Sequence, residues 1–203
     1  MSFDAWLAFC AMDFVLCFVP GPAVLFVVSV ALARGARPGM SAALGIVTAN
    51  WGYFALSGTG IAAVLLASNR LFTALKWAGA AYLVFIGLRM LFARGHAAAA
   101  PAPRPVANAF LRALVVQGAN PKALVFFVAL VPQFIDPHAP IAPQLLILGA
   151  SSALIELFAL GVYVAFSVQA RRLAGARVAP VLERVGGGFL VAAGARLAAV
   201  KQG

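Results

Sequence analysis

The chain has 203 residues, 64% of them hydrophobic and 10% charged, with a mean hydropathy of +1.02. A chain so apolar has too little polar surface to fold in water, which excludes a soluble domain and makes lipid the solvent. The net charge of +10 and the pI near 11.1 do not point to nucleic acid, because the basic residues stand between long apolar runs and not along one polar face.

Crossing ~30 Å of hydrocarbon takes about 20 helical residues. Apolar runs of that order fall near 5–31, 41–67, 71–92, 109–134, 141–169 and 181–200. The expected fold is therefore an all-α integral membrane protein of about six transmembrane helices. The sixth run is crowded by Glu183, Arg184 and Arg196, so a five-span arrangement stays open.

The first run opens on Met-Ser-Phe-Asp, without the cationic stretch of a cleavable signal, and is expected to remain as a span. Cys10 and Cys17 sit two turns apart on one face of it, beyond disulfide reach, and are read as packing residues. Pro20-Gly21-Pro22 must break this span, because two prolines remove two amide donors and bracket the residue with least helix preference. Asp13 lies two turns before Pro20 and shares a face with the break. In the second run Thr48, Asn50 and Ser57 either line a cavity or bond between helices. Gly79 and Gly87 in the third run share a face suited to close helix packing, and Arg89 is placed to snorkel. The low-complexity segment 94–108, Pro- and Ala-rich, separates a first transmembrane repeat over 1–93 from a second over 109–203. Asn120-Pro121-Lys122 breaks the fourth span, more gently than the first, and adds an amide and an ammonium. Glu156 lies near the middle of the fifth.

The two halves resemble each other. Sliding Pro22 onto Pro121 sets Gly21-Pro22-Ala23-Val24-Leu25 against Asn120-Pro121-Lys122-Ala123-Leu124. Sliding Gly79 onto Gly186 aligns Tyr82 with Phe189, Leu83 with Leu190, Val84 with Val191, Gly87 with Gly194 and Arg89 with Arg196. With three spans in each copy, the second must enter the membrane upside down, which gives two inverted three-helix repeats with broken helices one and four. The loops after spans one, three and five, with their edges, carry Arg34, Arg37, Arg94, Arg104, Arg112, Arg171, Arg172, Arg177 and Arg184, whereas the other side holds Arg70, Lys76 and Lys201. That asymmetry predicts a bacterial inner membrane location with both termini outside.

Non-helical backbone at membrane depth is tolerated where it is buried in protein or faces a wet cavity, so two matching breaks point to one central site. A broken helix offers free amides on one stub and free carbonyls on the other, a pairing suited to a zwitterion. Pro20, Gly21, Pro22, Asn50, Asn120, Pro121 and Lys122 are the candidate substrate-binding residues. Each intramembrane charge costs at least ~2.5 kcal/mol on insertion scales, so Asp13, Lys122 and Glu156 are expected to work. Asp13 and Glu156 are the candidates for proton coupling, since a carboxylate held away from water can take up and release a proton as a cavity changes sides. A static ion pair between Lys122 and one of them is the open alternative. His96 and His138 have no metal or catalytic spacing, the spans contain no His for a hydrolase, and no phosphate-cradling Gly-Lys-Ser/Thr loop is present. Neither an enzyme nor a cofactor or metal is expected. A membrane thiol carrier would need cysteines at the breaks of opposite halves, and both lie ahead of Pro20.

Pro20-Gly21-Pro22-Ala23-Val24-Leu25, then Arg34-Gly35 and Gly39-Met40 before Ala43-Leu44-Gly45, resembles the family of amino-acid exporters that includes the lysine exporter and the homoserine/threonine exporters. Leu75-Lys76-Trp77-Ala78-Gly79-Ala80-Ala81-Tyr82-Leu83 and the stretch from Asn120-Pro121-Lys122 to Pro132-Gln133-Phe134 are similar to its third- and fourth-span signatures. The resemblance implies export of amino acids or similar small metabolites driven by the proton gradient, with no cofactor. Many members carry a polar residue directly after PGP where this chain has Ala23, which predicts a different specificity. The expected partners are an amino-acid-like solute, protons and membrane lipid, with a homodimer open because bundles of this size often pair. The alternative is a non-transporting membrane assembly or lipid-handling protein whose breaks shape a groove toward lipid.

Overall fold

The computed structural model describes residues 1–58, 77, 81, 84, 85, 88, 91, 92, 107–174, 188, 191, 192 and 195. Among them there are helices and connecting turns and no strand. The chain runs through α1 (Phe3–Cys17), α2 (Pro22–Arg34), α3 (Ala36–Gly58), α4 (Ala107–Gly118), α5 (Pro121–Val125), a π-helical turn (Phe126–Leu130), a 3-10 turn (Val131–Phe134) and α6 (Ile141–Ala174). The expected third and sixth spans lie mostly outside the described residues, as does most of the 94–108 segment. Ala107 and Asn108 at its end already belong to α4.

Helix α1 starts where Ser2 accepts a 3.2 Å hydrogen bond from the Ala5 amide, with Asp4 in the first turn, both favourable at a helix N-terminus. It ends as the amides of Phe18 and Val19 tighten onto the carbonyls of Val15 and Leu16, each at 3.2 Å. The chain then turns through Pro20 and an extended Gly21 (φ −140°, ψ −177°), and Pro22 opens α2 at a position that needs no amide donor. The two helices meet at a bend of 53°, where the sequence placed the break.

At the end of α2, Gly35 closes the helix with its amide on the Ala31 carbonyl at 2.8 Å and φ at +93°, a conformation that glycine adopts without Cβ strain. The reversal is so tight that α3 begins at Ala36. The second span was expected from residue 41, but Arg37 and Pro38 fall in a first turn where cation and missing donor are both tolerated.

The fourth span comes apart further than its single proline motif suggested. After α4, Asn120 caps α5, and Pro132 then withdraws another amide one turn below the π-helical turn, where the backbone reaches over an extra residue. Helix α6 is continuous for 34 residues, about 50 Å at 1.5 Å per residue. It passes the length and hydropathy requirements for a span over Ile141–Leu173.

Two clusters make the core. One joins α2, α3, α4 and α6 through Val27, Ala31, Ala42, Ile46, Ala113, Val116 and Leu160. The other surrounds the second break and holds Phe9, Phe54, Phe126, Phe127, Val131 and Leu148, with Phe127 stacked on Tyr53 at 5.0 Å and edge-on to Phe54 at 4.8 Å. Large apolar side chains also point outward: Leu154 is 71% exposed, Phe166 73% and Phe158 59%. An apolar outside around a core of alanines and small contacts is what lipid permits and water does not.

Gly45 sits where α3 and α4 come closest. A Cβ there would fall on the Phe110 carbonyl oxygen and reach Ala113 Cβ at 3.0 Å. Gly45→Ala is therefore expected to force the helices apart at a cost of about 1–3 kcal/mol, read as a drop of several degrees in the melting midpoint of the detergent-purified protein.

Candidate functional site

The two breaks meet. Gly21 at the first and Asn120, Lys122 and Ala123 at the second line one cavity of about 600 Å³ with residues of α1, α2, α3, α4, α6 and the π-helical turn. Asp13, Asn50, Gln117, Asn120, Lys122 and Glu156 supply polar groups, and Val24, Phe126, Leu130 and Leu160 supply apolar wall. Of the expected substrate-binding residues, Gly21, Asn50, Asn120 and Lys122 line this space. Pro20 and Pro22 do not, and Pro20 is exposed. The prolines act on the backbone by stopping the helices, and their neighbours face inward.

Lys122 forms no ion pair with either carboxylate among the described residues. Its Nζ donates instead to the carbonyls of Leu16 at 2.5 Å and Val19 at 3.0 Å. From α6, the Tyr163 hydroxyl donates to the Phe18 carbonyl at 3.0 Å. The carbonyl end of the α1 stub, which the sequence left free for a solute, is thus occupied by side chains of the second half. A cation at a helix C-terminus is favourable there on electrostatic grounds as well. The amide end of the same break is different: Gly21 provides no side-chain cap for α2, so the first-turn amides of Ala23 and Val24, both beside the cavity, have no intrahelical partner.

On the other side, the polar groups form a directed chain. The Lys122 amide donates to Asn120 Oδ1 at 3.1 Å, Asn120 Nδ2 to Gln117 Oε1 at 2.9 Å, and Gln117 Nε2 to Asn50 Oδ1 at 2.6 Å. Asn50 Nδ2 then donates to Glu156 Oε2. Each amide passes its donor end onward, so three aligned dipoles end on the carboxylate, an arrangement in which each bond polarises the next. Asn50, Gln117 and Asn120 are all buried, and each finds a partner within the chain.

Asp13 is 4% exposed and lies deeper than the two-turn spacing alone shows. Its Oδ1 accepts from Cys17 Sγ at 3.9 Å, and Ser152 sits beside it. Its Oδ2 has no hydrogen-bond partner, although a buried charged acceptor left unsatisfied costs several kcal/mol in general. Cys10 and Cys17 are free thiols. Thr48 bonds back to the Leu44 carbonyl of its own helix at 2.8 Å, and Ser57 bonds the Phe127 carbonyl at the π-helical turn at 3.0 Å. Of Thr48, Asn50 and Ser57, it is Asn50 that lines the cavity. No metal-binding group of acids, histidines and cysteines occurs among the described residues.

Gln117 and Ser152 escaped the sequence reading. Each carried a positional signal: Gln117 precedes Asn120 by three residues and Ser152 precedes Glu156 by four, the spacings that bring helical side chains together.

The model of the LysE type translocator family matches residues 14–201. An uncharacterized membrane protein of Vibrio cholerae is 31% identical over 99% of this chain and 100% of its own length. The homoserine/homoserine lactone efflux protein of Salmonella typhimurium is 31% identical over 99% of both chains. The leucine efflux protein of the same species is 36% identical over 60% of this chain and 59% of its own. No solved structure matches.

Gln117→Leu removes the middle of the amide chain and leaves Asn50 Oδ1 and Asn120 Nδ2 buried without partners. A loss of about 1–3 kcal/mol for each stranded group is expected, seen as a melting midpoint well below that of the wild type, whereas Thr48→Val on the exposed face should leave it unchanged.

Proposed function

The chain belongs to the LysE type translocator family, and from that premise we propose that it exports amino acids or close derivatives from the cytoplasm by proton antiport. Membership makes it a membrane translocator and not an enzyme. The observation that carries the finer reading is the meeting of two helix breaks in one cavity that holds Asp13, Lys122 and Glu156.

The cavity has the size of small-solute sites in general. It brings uncapped amides of α2, two carboxylates and apolar wall to one space, which supports a solute with an amino group, an acidic or esterified carboxyl group and a compact side chain. Two relatives are named for solutes of this kind, homoserine with its lactone in one case and leucine in the other. Gly21, Asn50 and Asn120 form the polar edge of the binding site, and Pro20, Pro22 and Pro121 keep its backbone open. Lys122 contributes by holding the α1 stub in place, a task that leaves its ammonium little capacity for a solute carboxylate.

Proton coupling falls to the carboxylates. Glu156 receives the end of the amide chain and can accept a proton on its other oxygen when the cavity opens to the acidic side, then lose it to the cytoplasm. In this reading the two halves are inverted repeats in the inner membrane with both termini outside, as the distribution of arginines supports. Rocking of one half against the other changes the side to which the cavity opens.

The test uses inside-out vesicles that contain the purified protein and a pH-sensitive dye, with an acid-inside gradient imposed. Adding amino acids one at a time to the outer, cytoplasmic face is expected to release protons for one class of solute. Glu156→Gln should reduce that flux to the level of empty vesicles while the protein stays folded. Proton-independent accumulation of solute, or full flux in Glu156→Gln, would overturn the antiport mechanism.

A further inference from the structure

Both ends of a zwitterion need a receptor, and three carbonyls of the first break, obvious acceptors for an ammonium, already have side-chain donors. Lys122 Nζ holds Leu16 and Val19, and the Tyr163 hydroxyl holds Phe18. Glu156 Oε2 is held by Asn50. Among the buried side-chain polar atoms of the described residues, the one without a hydrogen-bond partner is Asp13 Oδ2, on a side chain that is 4% exposed and lines the cavity.

We propose that Asp13 is the receptor for the solute's ammonium group, so that the site selects small ammonium compounds with an apolar body and treats their carboxylate as secondary. The division rests on the exporter reading for its physiological role, but the binding chemistry stands apart from it. Three features set the selectivity. Among the described residues the cavity holds two carboxylates and a single ammonium, and that ammonium is engaged by two backbone carbonyls, which leaves a negative surplus. The groups left to a solute carboxylate are two neutral amides at the start of α2, weaker partners than a full charge. The space between is bounded by Val24, Phe126, Leu130 and Leu160, which favours a hydrocarbon body over a second charge. Asp13 and Glu156 then have different tasks, the former binding the solute and the latter exchanging the proton.

Butylammonium and butanoate separate the two ends of an amino acid on one apolar body. With purified wild-type protein, millimolar butylammonium is expected to raise the melting midpoint as a ligand of the folded state, and butanoate at the same concentration is not. Asp13→Asn keeps the side-chain shape and should weaken butylammonium binding by about tenfold or more, the loss of one charge-assisted hydrogen bond. Thr48→Val, on an exposed side chain outside the cavity lining, should retain it.

Stabilisation by butanoate and not by butylammonium would overturn the proposal, as would an Asp13→Asn variant that binds butylammonium as the wild type does. If Asp13→Asn does not fold, the wild-type comparison decides between the two ends unaided. Failure of solute-driven proton flux in vesicles, with butylammonium binding intact, would count against the antiport mechanism and leave the Asp13 site standing.

Discussion

The rest of the structure hangs on how the carbonyls at the end of α1 are satisfied. Inside a membrane a backbone group without a partner costs several kcal/mol, since there is no water to take its place. Pro20 and Pro22 make such groups unavoidable by stopping the helix, and the partners come from far along the chain: Lys122 in α5 and Tyr163 in α6. The first break therefore exists only because the second half of the protein folds against it. The second break draws on both sources: the Asn120 side chain caps the Lys122 amide at 3.1 Å, and from α3 the Tyr53 hydroxyl donates to the Gly118 carbonyl at 2.8 Å.

That arrangement also fixes the electrostatics of the cavity. An ammonium placed near two carboxylates would ordinarily neutralise one of them. Here its position is set by the helix end it caps, and the carboxylates are left to other partners. Glu156 gains the amide chain from Asn120 through Gln117 and Asn50, while Asp13 keeps one oxygen open. Chemically similar acids on facing helices thus acquire unlike roles through what their neighbours can donate.

The breaks were the most legible part of the sequence, because proline acts on the backbone whatever surrounds it. Pro20-Gly21-Pro22 and Asn120-Pro121-Lys122 interrupt their spans where expected, and Asp13 and Glu156 could be singled out because a charge in an apolar run needs a reason. What could not be read was which groups pair. The reach of a lysine side chain is long enough to serve either carboxylate or either stub, and only the placement of Lys122 beside the end of α1 decides. Gln117 was hidden for a related reason: an amide in a helix is ordinary until its neighbours show that both its ends are used. The extra unwinding at Phe126–Leu130 runs directly into Pro132, whose missing amide ends regular α-helix there.

Side-chain caps have a consequence for motion that intrahelical bonds do not. A backbone bond inside a helix cannot be exchanged without unwinding a turn, whereas a lysine or tyrosine can release a carbonyl and take another by rotamer change. The first break is held by two such caps from the opposite half, so the α1 stub can shift against α5 and α6 while its own helix stays whole. The bend of 53° between α1 and α2 supplies a hinge, and Gly21, extended and without a side chain to clear, is its pivot. Because Lys122 stands both at this hinge and at the head of the amide chain that ends on Glu156, movement at the first break is mechanically linked to the hold on the carboxylate. The proposed antiport requires a link of that kind, since a cavity that opens to one side with a solute and to the other with a proton must let either occupant alone bias the same movement.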